Sequence, residues 1–206
     1  MKKITTLFKV LYAATGSKGV ITEEINAGNA WVFTDVHVVA TRKFDGTACL
    51  IKDGELYKRY DVKPTKEAFK AHVKGTPWNA QDFRETPKGA IPCQEPDLIT
   101  GHHPHWLKCV LGAPEDRYFF EGLAAHPNAP EDGTYELCGE KVGVNAEKIT
   151  GHALLKHGSE KLDILEWTFQ GFKTFLEHAD IEGIVFHHAD GRMCKLRKSD
   201  YNLPRG

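Results

Sequence analysis

The chain is patterned mainly by short alternating segments. From Trp31 it turns strand-like, and an apolar run through Val36, Val38, Val39 and Ala40 ends at Lys43-Phe44-Asp45-Gly46. Thr47 to Tyr60 predicts a hairpin: Ala48-Cys49-Leu50-Ile51, a two-residue Asp53-Gly54 turn, then Leu56 to Tyr60. Such a turn pairs 52 with 55, 50 with 57 and 48 with 59, which sets Arg59 across from Ala48. Gly133 to Gly139 reads as a strand with Glu136 and Cys138 on one face and Tyr135 and Leu137 on the other. Between Thr168 and His178, Phe169, Phe172, Phe175 and Leu176 recur at helical spacing and predict a helix with one apolar, core-facing stripe. The last unit is a second hairpin, with Ile181 to His188 and Met193 to Arg197 joined by Asp190-Gly191. With those two loop residues, 186 pairs with 195, 184 with 197 and 182 with 199. Glu182, Ile184, Phe186, Lys195 and Arg197 then project from one face.

Two regions lack such periodicity. Residues 1 to 30, punctuated by Gly16, Gly19 and Gly28, read as an irregular approach to the first strand. Residues 61 to 116 hold seven of the ten prolines and read as a long elaborated loop over the core. Cys93, His102, His103, His105 and Cys109 in that loop are residue types that ligate zinc. Their spacing matches none of the usual structural zinc patterns and Pro104 splits the histidines, so a loop packed over the active-site face is expected instead.

Composition adds bounds. A chain of 206 residues, 41% hydrophobic and 27% charged, has the material for one sizeable core. The net charge of −1 hides a segregation: residues 41 to 74 and 192 to 206 each carry +4, and residues 75 to 191 carry −10. The two basic segments would form a phosphate-binding surface if the fold joins them. Five widely spaced cysteines without a C-x-x-C pair point to free thiols and a reducing, cytoplasmic setting. Lys9 interrupts the apolar run Ile4 to Ala14, and no long hydrophobic segment follows, so neither a secretion signal nor a membrane partner is expected.

The candidate chemistry sits at the strand ends. A lysine acts as a nucleophile when nearby cations or desolvation lower its pKa, and Lys43 closes a strand beside a D-G turn among other basic residues. In the last hairpin an acid and two bases occupy one otherwise apolar face, which is costly unless they serve something. A magnesium ion and a triphosphate would satisfy both signs.

Taken together these motifs resemble the lysine nucleotidyltransferase superfamily of polynucleotide ligases and messenger-RNA capping enzymes, above all its small RNA ligases. The resemblance runs from about residue 36 to 203. It implies an α+β adenylation domain of antiparallel sheets with flanking helices around an ATP cleft, spanning residues 1–206 without an appended oligonucleotide-binding-fold domain. Lys43-Phe44-Asp45-Gly46 resembles the nucleophile motif, which implies that Lys43 is the adenylated, catalytic lysine and that Asp45 and Gly46 border the nucleotide. Arg59 resembles the arginine that follows it and contacts a phosphate. Tyr135 to Gly139 resembles the third motif, implying Glu136 on the ribose. Glu182-Gly183-Ile184-Val185 resembles the fourth, whose glutamate supports the metal, Mg²⁺ or Mn²⁺. Lys195 to Tyr201 resembles the fifth, whose bases hold the α-phosphate; the second base here is Arg197, with Lys198 next to it. The implied activity is ATP-dependent joining of RNA 5′-phosphate and 3′-hydroxyl ends through lysyl-AMP. A minimal DNA ligase shares these motifs, a capping-type guanylyltransferase would differ in using GTP, and a non-catalytic nucleotide or nucleic-acid binder would have lost a catalytic position, which this chain has not.

Overall fold

A computed structural model describes residues 1–11 and 19–204; Gly16, the end of the Ile4 to Ala14 run and Arg205 lie outside them. In chain order the elements are β1 (Thr5–Thr6), β2 (Phe8–Leu11), β3 (Val20–Ile25), a single helical turn α1 (Trp31–Thr34), β4 (Val39–Lys43), β5 (Thr47–Lys52), β6 (Glu55–Val62) and α2 (Lys66–Val73). There follow β7 (Ile91–Pro92), β8 (His103–Lys108), α3 (Arg117–Ala124), β9 (Gly133–Gly139), β10 (His152–Lys156), α4 (Phe169–His178), β11 (Gly183–His187) and β12 (Met193–Arg197). The chain is α+β with largely antiparallel sheets, and it divides into two compact units.

The first unit comprises residues 1–3, 46–137 and 150–154. Its sheet runs in the order β10-β9-β5-β6-β8-β7. The β5–β6 hairpin turns on Asp53 and Gly54, with φ of 53° and 75°, the pair of left-handed residues that a two-residue turn requires. Lys52 pairs with Glu55 and Leu50 with Tyr57, as the alternation predicts. That ladder reaches only to Cys49–Lys58, and Arg59 pairs instead with Trp106 of β8. Cys49, Ile51, Leu56, Tyr135 and Leu137 pack one face of the sheet, and all are buried. The stretch from 61 to 116 is more ordered than its prolines suggest, since it contains α2 and β8. Thr65 caps α2, accepting from the Ala68 N–H, and the run His103 to Lys108 finds a strand partner in β6, which periodicity could not reveal through the intervening Pro104.

The second unit comprises residues 4–45, 138–149 and 155–206. Its main sheet runs β1-β12-β11-β4, with β2 and β3 forming a separate ribbon. The described residues among the first thirty are therefore not irregular: Leu7, Phe8 and Ile21 are drawn into the core by burial although no long alternation marks them. Trp31 and Val32 also enter that core, but from the turn α1 rather than from a strand, and β4 begins only at Val39, with Val36 91% exposed. Thr168 caps α4, accepting from the Gly171 N–H, and Phe172 and Leu176 on its apolar stripe are fully buried against Phe186 and Ile184.

The β11–β12 register differs by one residue from the predicted one. Val185 pairs with Lys195 and Gly183 with Arg197. The reason is the loop. Only Gly191 (φ 90°) adopts a left-handed conformation, the His188 N–H bonds to Arg192 O, and Gly191 N–H bonds back to His188 O. This is a three-residue loop closed by a left-handed glycine, not a two-residue turn. A one-residue slip moves side chains to the opposite face. Ile184, Phe186, Cys194 and Leu196, all fully buried, now share the core face, while Lys195 and Arg197 share the other. The predicted common face of Ile184, Phe186, Lys195 and Arg197 is thus corrected, and Glu182 lies just ahead of the strand rather than within it.

Candidate functional site

The pairing of three strands in the second unit builds the site. Lys43 on β4, Gly183 on β11 and Arg197 on β12 lie directly opposite one another, and Thr41, Val185 and Lys195 form the next row. Directly opposed residues of an antiparallel ladder project from one face, so Lys43, Lys195 and Arg197 face the same way. Lys198 leaves β12 in a short helical turn and is buried, so of the two adjacent bases Arg197 is the one beside Lys43.

Each group is held. The Lys43 amine donates to a carboxylate oxygen of Glu182 and, at 3.2 Å, to Phe44 O; the Glu182 side chain is 9% exposed. Glu182 is itself fixed by its backbone, whose carbonyl accepts from the Lys198 N–H at 2.9 Å. Arg197 donates to Asp200 Oδ1 at 2.7 Å while Asp200 Oδ2 accepts from the Arg197 N–H. No hydrogen bond or ion pair holds the Lys195 amine among the described residues.

Electrostatics follow from this crowding. Burial raises the Glu182 carboxyl above the usual range, and the Lys43 charge partly offsets it. Lys195 is pulled down to about 8, first by burial and then by the charges of Arg197 and Lys43. The face therefore carries three bases near one another, two of them paired with Glu182 and Asp200.

One residue that the sequence reading missed anchors the chain on either side of Lys43. Glu147, with a side chain 4% exposed, pairs with Arg42 and accepts from the Asp45 N–H at 3.0 Å. Arg42 also reaches Glu160 at 3.3 Å. Glu147 sits in a turn-rich stretch between β9 and β10 with no motif or period to mark it.

The other predicted residues belong to the first unit. Gly46 forms the bend that leads into β5. Glu136 pairs with Ala48 and is buried; by strand alternation Arg59 projects from the same sheet face as Glu136. Arg59 donates to Met1 O at 2.8 Å and lies 3.4 Å from Asp61. The basic segment 41 to 74 is split accordingly, with only its first residues, Arg42 and Lys43, on the sheet that carries Lys195 and Arg197.

Among the described residues no three His, Cys, Asp or Glu side chains converge as a metal cage. Cys93 and the histidines of the 102–105 stretch are placed otherwise: His105 is buried with its ring 4.3 Å from that of His103, and no disulfide joins the cysteines. A single buried carboxylate such as Glu182 fits Mg²⁺ in its usual mode, in which one or two carboxylates share the ion with substrate phosphates and water.

A lysine with a carboxylate partner, flanked by two further bases on an α+β scaffold, is an arrangement that can take an anion. Curated proteins named RNA ligase 1 are similar to this chain. That of Rattus norvegicus is 27% identical, covering 95% of this chain and 74% of that protein; that of Danio rerio is 28% identical, covering 86% and 72%. The Pongo abelii protein is 27% identical over 80% of this chain and 67% of its own length. No protein-family model matches the chain. Among the described residues no helix is long and apolar enough to cross a membrane.

Proposed function

We propose that this chain is an ATP-dependent RNA ligase in which Lys43 becomes adenylated. The observation that carries the reading is the row Lys43–Gly183–Arg197 with Lys195 beside it, a lysine and two bases on one sheet face. Similarity to proteins named RNA ligase 1 supports the substrate class.

In the first step the neutral Lys43 amine attacks the α-phosphorus of ATP. An N–P bond forms, the bond to the β-phosphate oxygen breaks, and pyrophosphate leaves. Glu182 holds the amine and is the carboxylate placed to take the proton it gives up. Lys195 and Arg197 neutralise the charge that builds on the phosphate oxygens, the main contribution a protein makes to this kind of transfer. AMP then passes to an RNA 5′-phosphate, and a 3′-hydroxyl displaces it to seal the strand. Glu182, with phosphate oxygens and water, would hold Mg²⁺ or Mn²⁺, which supplies further charge neutralisation. Arg59 and Glu136 are assigned to a phosphate and to the ribose.

The test is covalent labelling. With α-labelled ATP and magnesium, the protein should acquire an acid-stable, hydroxylamine-labile adduct that Lys43→Ala abolishes. Label on the Ala variant would remove Lys43 from the mechanism. Matched RNA and DNA ends then test the substrate, and equal sealing of both would replace RNA ligase with DNA ligase.

A further inference from the structure

The first unit contains a cavity of about 450 Å³ on the flank of α2. Its walls carry Lys63, Lys66, Lys70 and Arg84, and its apolar surface comes from Phe69 and Trp78. None of the four cations makes an ion pair or side-chain hydrogen bond among the described residues. Among the carboxylates close in sequence, Asp61 pairs with Arg59, Asp82 accepts from the Asn79 N–H, Asp97 accepts from Ile99 and Thr100, and Glu85, next to Arg84, does not line the cavity. Glu67, in the first turn of α2, does not line the cavity.

The aromatic part is built rather than incidental. Trp78 is buried, stacked on His72 at 4.0 Å, and its ring is met by the backbone of Gly101, where any side chain would come within 3.0 Å of it. Phe69, 6.3 Å from Trp78, is 56% exposed. An exposed apolar ring that lines one cavity with four unpaired cations is poor design for a solvated surface. It suits a ligand with both a negative backbone and flat faces.

We propose that this cavity binds single-stranded RNA, with Phe69 stacking on a base and Lys63, Lys66, Lys70 and Arg84 contacting the flanking phosphates. Backbone charge with sequence-tolerant stacking is the general mode of single-strand recognition. A duplex hides the base faces that Phe69 would need. The proposal rests on the RNA ligase reading for its choice of RNA, and it gives that enzyme a grip on its substrate separate from the Lys43 site.

The experiment measures binding of a labelled single-stranded RNA with a 5′-hydroxyl end to the full chain without ATP, by fluorescence anisotropy at several salt concentrations. The variants are Phe69→Ala and the double variant Lys66→Ala with Lys70→Ala. No residue of α2 is buried, so both should fold. Phe69→Ala should weaken binding about fivefold or more. The lysine pair should lower affinity and reduce the slope of log affinity against log salt by roughly 1.4, the loss of about two phosphate contacts on a single strand. Lysyl-AMP formation should be unchanged in both. The proposal is overturned if neither variant alters RNA binding, if only the lysine pair does, which would make the patch a generic polyanion surface, or if a perfect RNA duplex binds as tightly with the same dependence on Phe69. Unlabelled wild-type protein whose RNA binding still depends on Phe69 would sink the ligase reading and leave this site standing; labelled protein indifferent to Phe69 would do the reverse.

Discussion

Lys43 and Arg197 face the same side of the four-stranded sheet, each directly opposite Gly183 on the strand between them. Neighbouring strands lie about 4.8 Å apart, so roughly 10 Å separates the two backbones, a span that two long cationic side chains close around one phosphate-sized anion. Lys195, one row away, has its pKa pulled down in part by both of them. The three positive groups therefore act on the same space.

The Lys43–Glu182 pair predicts a stability coupling. Lys43→Met leaves Glu182 buried without its counter-charge, and removing one partner of such a pair is costlier than removing both. We expect Lys43→Met to cost about 1–3 kcal/mol at pH 7.5, and Glu182→Gln in the same chain to recover most of it. The sign with pH follows from the raised Glu182 pKa: as pH falls the carboxyl is protonated sooner than an ordinary one, and the unpaired charge disappears. The deficit of Lys43→Met should thus shrink between pH 7.5 and pH 5 in denaturant titrations. A deficit independent of pH would show that the pair is not its source.

Gly183 is predicted to be intolerant of any side chain. A Cβ there would lie 2.2 Å from Leu196 O and 2.9 Å from the Arg197 Cα, and both are backbone atoms that no rotamer can move. Gly183→Ala should force β11 and β12 apart, costing about 2 kcal/mol or more and lowering the melting temperature by roughly 4–8 °C. Because Lys43 and Arg197 flank this position, lysyl-AMP formation should fall further than the folded fraction does. An unchanged melting curve would contradict the close packing at this position.

Glu147 should matter for the reaction although it touches no proposed substrate group. It fixes Arg42 and the Asp45 N–H, and so the residues on either side of Lys43. Glu147→Ala should slow lysyl-AMP formation by about tenfold or more, as misplacement of a reacting group does, and Glu147→Gln should restore part of the rate by keeping the bond to Asp45. Equal rates for Ala and Gln would make the charge on Arg42, not the hydrogen bond, the working element.

The strands that carry the candidate site were largely legible in the sequence, and the misses have physical causes. Alternation located β5, β9, β11 and β12 because each buries at least one face, and helical spacing located α4 for the same reason. The β11–β12 register was misread because Asp-Gly serves two turn types, and the choice depends on Asp190: its carboxylate accepts from the Arg192 N–H and Nε, and its backbone stays out of the left-handed region that Asp53 adopts. The strands β1 and β8 were hidden because their pairing partners, β12 and β6, are distant in sequence, whereas β2 and β3 pair with each other but carry no long alternation to mark them. Glu147 was invisible because its role depends on a backbone N–H more than one hundred residues away.

Lys195 leads to a prediction about protons. Its amine titrates near 8 in the folded chain and near 10.5 when unfolded. Between those values the unfolded chain binds the additional proton, so this residue makes stability rise with pH across that window; below it, the full cost of the buried charge is present. Lys195→Met should therefore raise the melting temperature at pH 7, and the advantage should fade as pH climbs past 8. A bound phosphate reverses the balance, because an anion beside the amine favours its charged form and raises its pKa. At pH 8.5 ATP binding should then be accompanied by proton uptake, detectable by calorimetry in two buffers of different ionisation enthalpy, and affinity should weaken as pH rises above 8. Lys195→Met should abolish that uptake. Binding without proton uptake in the native protein would mean that the phosphates do not reach Lys195, and the α-phosphate would have to be assigned to Arg197 alone.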